Sequence, residues 1–204
     1  MNQIIAATNN AHKIEEFKGL FIGSDFELSS AEVCGGMPRV VEDGDSFAAN
    51  ARIKAIALRA LAPKKAWIMS DDSGLEVDAL EGAPGIYSAR YAGQGATDSK
   101  NVEKLLGELT ERTGKDRKAR FRCVLCLLDA QGNESYHEGI SHGLIASVAS
   151  GKEGFGYDPI FIPDGHRESF GELGQEIKSR YSHRALAVRA LSLIHISEPT
   201  RQWQ

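Results

Sequence analysis

The sequence predicts an α/β fold, a mixed β-sheet with flanking helices. Three observations carry this. Gln3 to Ala7 is a short apolar run that leads through a polar loop into an amphipathic helix. Two long strand-like segments flank a turn at Gly132, an antiparallel hairpin that argues against a purely parallel sheet. Hydrophobic residues make up 42% and charged residues 25% of the 204, an ordinary balance with enough apolar material for a sizeable core.

The first strand runs into Thr8-Asn9-Asn10-Ala11-His12-Lys13, and the helix after it places Ile14, Phe17, Leu20 and Phe21 on one face. Free backbone N–H groups at such a helix start attract an anion, and Lys13 adds a full charge. The segment reads equally well as an ordinary turn with an Asn cap. No Walker A loop occurs in the chain. Phe26 to Ser30 is a second strand. Ala31 to Asp45 is a long loop ending in Glu42-Asp43-Gly44-Asp45, and loops of that length are often functional. Ser46 caps the next helix, which buries Phe47, Ala51, Ala55 and Leu58 and extends to about Leu61. Lys54 falls on the buried side, where an ammonium must find an anion or reach back to water.

Ala66-Trp67-Ile68-Met69 reads as a buried strand that ends on Ser70-Asp71-Asp72-Ser73-Gly74. Ligands collect at strand ends in α/β sheets. Adjacent carboxylates repel, and a cation such as Mg²⁺ would relieve them together with substrate phosphates. The plainer reading is a polar turn that closes a strand. Gly82 to Gly95 is expected as an ordered loop near the site. Thr97 or Asp98 caps a helix carrying Val102, Leu105, Leu106 and Leu109, and Gly114 to Lys118 is a charged turn. Ala119 to Asp129 and Glu134 to Val148 form the hairpin, with a bend expected near Gly139 or Gly143.

Glycines flank Phe155 in Gly154-Phe155-Gly156-Tyr157-Asp158-Pro159, so a flat ligand could approach the ring; burial of Phe155 as core is the competing reading. Ile160-Phe161-Ile162 is a short strand, and Phe170, Leu173 and Ile177 mark a helix ending at Lys178. Ser182 caps the last helix. That places His183 and Arg184 at its positive end, where they need an anion or an acceptor. From Leu193 the chain loses amphipathic order and meets Pro199. The expected organisation is one domain over residues 1–192 and an atypical tail over 193–204.

The formal net charge of −4 argues against duplex nucleic acid as a partner. No apolar run approaches the ~20 residues of a membrane helix. Met1 to Ile5 is already strand-like, so no signal peptide is expected. Three cysteines, an odd number, argue against a disulfide framework; Cys123 and Cys126 fall on opposite strand faces and read as buried thiols. A reducing cytoplasm fits.

The polar features converge on one ligand. Glu42 and Asp72, with Asp71 nearby, can hold a divalent metal. Lys13, Lys54 and Lys178 offer charge to a polyphosphate, Phe155 a stacking face, and His183 and Arg184 donors for base oxygens. At this point the chain resembles the inosine triphosphate pyrophosphatase family, above all its bacterial dITP/XTP diphosphatases. The motifs are Thr8-x-Asn10-x-x-Lys13 with Glu16, and Glu42-x-Gly44-x-Ser46-Phe47-x-x-Asn50-Ala51-x-x-Lys54. Asp71-Asp72-Ser73-Gly74-Leu75 and Gly82 to Arg90 follow, then Gly154 to Pro159, Lys178 and Ser182-His183-Arg184.

The resemblance implies an elongated mixed sheet with two lobes around a central nucleotide-binding cleft, usually as a homodimer. It implies Mg²⁺-dependent hydrolysis of a non-canonical purine nucleoside triphosphate (dITP, ITP or XTP) to the monophosphate and pyrophosphate. It makes Asp72 the general base and a metal ligand and Glu42 a second metal carboxylate. Substrate contacts would come from Thr8, Asn9, Asn10, Ala11, His12, Lys13, Lys54, Ser73, Phe155, Gly156, Tyr157, Asp158, Lys178, His183 and Arg184. The chain departs at Asn9, often Gly, where Asn can still adopt a left-handed turn, and at Ala49, often Glu, which removes the capping-box partner of Ser46. Two alternatives stay open: a septum-formation (Maf)-type nucleotide pyrophosphatase, against which Ser182-His183-Arg184 argues, and a nucleotide sensor that binds without turnover.

Overall fold

The computed structural model describes residues 2–111 and 116–197. Its elements are β1 (Asn2–Ala6), α1 (Ala11–Phe21), β2 (Phe26–Ser30), α2 (Phe47–Arg59), β3 (Trp67–Val77), α3 (Asp98–Glu111), β4 (Lys118–Leu128), β5 (Glu134–Ile145), β6 (Phe161–Pro163), α4 (Phe170–Tyr181) and α5 (His183–Ser197). The strands form one mixed sheet in the order β2-β1-β3-β4-β5-β6. β1 runs parallel to β2 and β3, and every other pairing is antiparallel.

Long strands carry three apolar clusters. Phe17 and Phe21 of α1 pack with Met69, Cys123 and Leu125 and with Val188 and Leu191 of α5. On the opposite face, Ala51, Ala55 and Leu58 of α2 pack with Ile68 and Cys126. Cys123 and Cys126 are thus buried thiols on opposite faces, as alternation requires. The third cluster lies further along the strands, where α3 and α4 cover Leu75, Val77, Phe121 and Phe161. The cores of two lobes therefore share one sheet, and a cleft opens between them.

Several expectations are corrected. β3 does not end at the two aspartates; it continues for eleven residues to Val77, with Asp71 opposite Leu125 and Asp72 opposite Val124 of β4. The polar pair looks like a turn in sequence, yet β4 supplies backbone partners throughout, so the strand carries on. β5 pairs with β4 from Glu134 to Leu144 without interruption, and its glycines serve close approach. A Cβ at Gly139 would stand 2.1 Å from His183 O and 2.3 Å from Ala187 N, so only glycine lets α5 lie against β5 there. Asn9 is not left-handed; Glu81 is the one non-glycine at positive φ among the described residues. Ser46 Oγ accepts from Ala49 N at 3.3 Å, a cap without a box. α5 runs to Ser197, so residues 193–197 are helical, while the tail expectation for 198–204 and part of the charged turn before β4 lie outside the described residues.

Candidate active site

The site grows from a gap in the sheet. Ala7 N–H donates to Met69 O at 2.7 Å, the last contact β1 makes with β3. That edge of β3 is taken up again at Glu76, which bridges to Pro84, while Leu75 N–H donates to Ser88 Oγ at 2.9 Å. Gly74 permits this approach, since a Cβ there would meet Gly85 O at 2.3 Å. Between the two contacts, side chains from both faces of β3 border one cavity of about 720 Å³.

The 8–10 loop closes one side. Thr8 Oγ accepts from Asn10 N, and Asn10 Oδ1 accepts from Lys13 N, so Asn10 caps α1 as a plain turn would. Lys13 Nζ donates to Asp71 Oδ2 at 2.7 Å. From the other face, Lys54 Nζ donates to Glu42 Oε2 at 2.8 Å and to Asp72 Oδ1 at 3.2 Å, and Asn50 Nδ2 donates to Asp72 Oδ2 at 3.2 Å. The buried lysine of α2 thus has its anions. Burial alone would lower its pKa, but Asp72, Asp71 and Glu42 outweigh that and hold it above the ordinary lysine value.

The adjacent aspartates are pushed apart. Burial acts against the charged form of Asp71, yet Lys13, Arg184 and Lys54 overcome it and hold its pKa well below the usual range. At Asp72 burial prevails over Lys54 and Lys13, and the charges of Asp71 and Glu42 add to it, so its pKa is raised. One carboxylate is a permanent anion and its neighbour is a stronger base, the division of roles seen where two acids share a site.

The far end of the cavity is set by a buried charge network. Lys178 Nζ donates to Glu16 and, at 2.9 Å, to Asp158 Oδ2, which also accepts from Phe155 N at 2.9 Å. Arg184 donates to Glu16 Oε2 at 3.0 Å and to Ser73 Oγ at 2.8 Å, the acceptors its place at a helix start demands. His183 stacks on Phe121 with centroids 4.7 Å apart. Burial, then the charges of Arg184 and Lys178, push its pKa well below 6.5, so it is neutral rather than a second cation. The Nδ1 of His183, the Nε of Arg184 and Oδ1 of Asp71 are buried without a hydrogen-bond partner. Arg184 Nε lies 3.7 Å from Asp71 Oδ2, a loose ion pair within the same network.

The cavity wall includes Thr8, Asn9, Asn10, Lys13, Glu42, Lys54, Asp72, Ser73, Phe155, Gly156, Tyr157, Asp158, His183 and Arg184. It does not include Ala11, His12 or Lys178. Ala11 and His12 are exposed on the first turn of α1, where the His12 ring stacks on Phe155 at 5.2 Å. Lys178 is buried in its ion pairs, with Nζ 5.3 Å from the Phe155 centroid. Residues given no role from sequence also belong here. Glu16 anchors Lys178 and Arg184, and its signal was its place three residues after Lys13. Asn50 orients Asp72, and an Asn on the buried face of a helix was its signal. Asp98 accepts from Gly156 N at 2.7 Å, a link across 58 positions that left no sequence signal. Met37 to Val41 and Arg90 complete the mouth.

Residues 4–194 match the model of the Ham1 family. A dITP/XTP pyrophosphatase of Opitutus terrae is 48% identical over 187 residues, covering 89% of this chain and 92% of that protein. One of Clostridium perfringens is 44% identical over 195 residues, covering 94% and 96%. A HAM1 protein structure from Coxiella burnetii superposes with a TM-score of 0.86 at 34% identity, over 97% of this chain and 100% of that one. The Staphylococcus aureus Ham1 structure gives 0.83 at 38%, over 97% and 100%.

Proposed function

The chain belongs to the Ham1 family, and from that premise we propose that it hydrolyses non-canonical purine nucleoside triphosphates (dITP, ITP, XTP) to the monophosphate and pyrophosphate. The observation that carries this is the pair Asp71–Asp72 on the open edge of β3, with Lys13 on one carboxylate and Lys54 on the other, at a cavity large enough for a nucleotide. A sensor that only binds would need the cations but not a carboxylate raised toward basicity.

Asp72 orients the attacking water and takes its proton, a task suited to a carboxylate whose pKa is raised. Asp71, held anionic, keeps Lys13 in place. Lys13 and Lys54 stand where charge collects on the leaving pyrophosphate. At the other end, Phe155 offers its cavity side to the base. His183 and Arg184 border the same cavity and are the groups that would read it. Arginine only donates, so it suits the oxygen at ring position 6 of hypoxanthine or xanthine and not the amino group of adenine.

Glu42 and Asp72 are the residues that would hold a divalent metal. They fit one, because their carboxylates already converge on a single cation, the Lys54 ammonium. Among the described residues no three acidic, His or Cys side chains form a metal cluster; one or two carboxylates with substrate phosphates are the usual Mg²⁺ arrangement. Bound there, Mg²⁺ would offset phosphate charge so that an anionic base and water can approach. The cytoplasmic location and the homodimer implied by the resemblance belong to the same reading.

Pyrophosphate release from dITP, XTP, dTTP and dATP, with and without Mg²⁺, tests it. We expect turnover of dITP and XTP with Mg²⁺ and discrimination against dATP on the order of 10–10², from the one charge-assisted bond lost at Arg184, since His183 is neutral. Asp72→Asn should bind dITP and release almost no pyrophosphate. Near-wild-type hydrolysis by that variant removes Asp72 from the mechanism, and binding without release by the wild type would make the protein a sensor.

A further inference from the structure

We infer that Arg39 is a phosphate-binding residue, which grips the two phosphates that leave as pyrophosphate. This rests on the reading above and extends it to a residue outside the quoted motifs. Most cations of the cavity already have anionic partners. Lys13 is paired with Asp71 at 2.7 Å, Lys54 with Glu42 and Asp72, and Arg184 with Glu16. Each of those charges is largely cancelled by a carboxylate within the protein. Arg90 has no carboxylate partner; it reaches Glu42 O at 3.4 Å and lies over the Tyr87 ring. Arg39 lines the same cavity, is exposed, and has no hydrogen-bond or ion-pair acceptor among the described residues.

An exposed arginine needs no partner in water. What distinguishes Arg39 is where its backbone is held. Met37 packs against the apolar cluster of α2 on one side of it. On the other side the Glu42 carboxylate is bound by Lys54, the Glu42 carbonyl by Arg90, and Gly44 N–H by Asn50 Oδ1 at 2.9 Å. The loop is anchored at both ends while the guanidinium between them keeps all five donors. Fork-shaped donors on an anchored loop suit phosphate oxygens, and pre-positioning lowers the cost of ordering them on binding. The loop carries Glu42, whose carboxylate Lys54 holds, and Met37 packs against the cluster that contains Ala7, next to Thr8, so Arg39 stands on the side of the cavity where Lys54 and the 8–10 loop lie.

The test needs no turnover. Inorganic pyrophosphate and dIMP are titrated separately, in magnesium buffer, into wild type, Arg39→Ala and Arg39→Lys, and the heats are measured. The expected result is a pyrophosphate Kd raised roughly three- to thirtyfold in Arg39→Ala, as for one exposed charge-assisted contact. Arg39→Lys should recover part of it, and the dIMP Kd should not change, which also shows the variant is folded. Equal pyrophosphate affinity in wild type and Arg39→Ala overturns the inference. So does a parallel loss for both ligands, which would mean the loop holds the site's shape and not the phosphates. If the wild type releases no pyrophosphate from dITP, the functional reading falls, while an Arg39-dependent pyrophosphate affinity still upholds this one.

Discussion

Asp71, Asp72 and His183 illustrate how little a residue's type says about its charge here. Asp71 and Asp72 meet the same two lysines, yet burial loses at one and wins at the other. His183 stays neutral chiefly because it is buried, and the Asp71 charge does not offset those of Arg184 and Lys178. The sign of its effect on stability follows. The unfolded chain takes a proton on His183 near pH 6.5, and the native one takes it only well below. As pH falls below about 6.5 the unfolded state binds the extra proton, so His183 makes the protein less stable, by at most about 1.4 kcal/mol per pH unit. Denaturant midpoints measured between about pH 5 and pH 8 should fall less steeply on the acid side in His183→Asn than in the wild type. Identical slopes would mean that His183 takes up its proton as readily in the native state as in the unfolded one.

At the scale of elements, α5 carries two site residues and owes its position to one glycine of β5. Adding a methyl at Gly139 drives a carbon into the backbone at His183 and Ala187. Overpacking of this kind costs roughly 1–3 kcal/mol, or about 2–12 °C in melting temperature for a chain of this size. Gly139→Ala should therefore melt earlier and also lose activity, since the shift displaces His183 and Arg184 together. Gly107→Ala is the control. Gly107 lies in α3 with open space around its missing Cβ, so the change should be neutral or slightly stabilising. Equal melting temperatures for Gly139→Ala and the wild type would show that α5 is free to slide on the sheet.

For the molecule as a whole, the polar groups that join the lobes are buried. Glu16 of α1, Lys178 of α4, Arg184 of α5 and Asp158 before β6 meet between the apolar clusters, and the cavity lies beside them. Removing one partner from such a network leaves an uncompensated buried charge, so the network holds the lobes in register at the cost of tolerance to change. The chain's end is different. Leu191 is the last α5 residue assigned to a core cluster among the described residues. A chain ending at Ser192 is expected to keep its melting temperature within about 4 °C and its dITP turnover within roughly twofold. A larger loss would make residues 193–204 part of the fold.

What the amino-acid order alone determined was local. Element types followed from periodicity: the helices begin at Ser46 and Asn10 caps, the hairpin turns at Gly132, and Cys123 and Cys126 part to opposite faces. Lys54 on a buried helix face and His183-Arg184 at a helix start announced unmet charge, because burial penalises a cation and the helix dipole penalises one at the N-terminus. Which anion answers each cation was not legible. Lys13 and Asp71 are 58 positions apart, and Arg184 and Glu16 are 168 apart. Such pairs exist only after the sheet has brought distant segments together, and the balance between burial and neighbouring charge is set at that moment. The same holds for β3: its composition reads as a strand that stops at two aspartates, and pairing with β4 decides that it does not. Local chemistry selects the elements, and long-range pairing decides which charges survive and where the strand's open edge becomes a site.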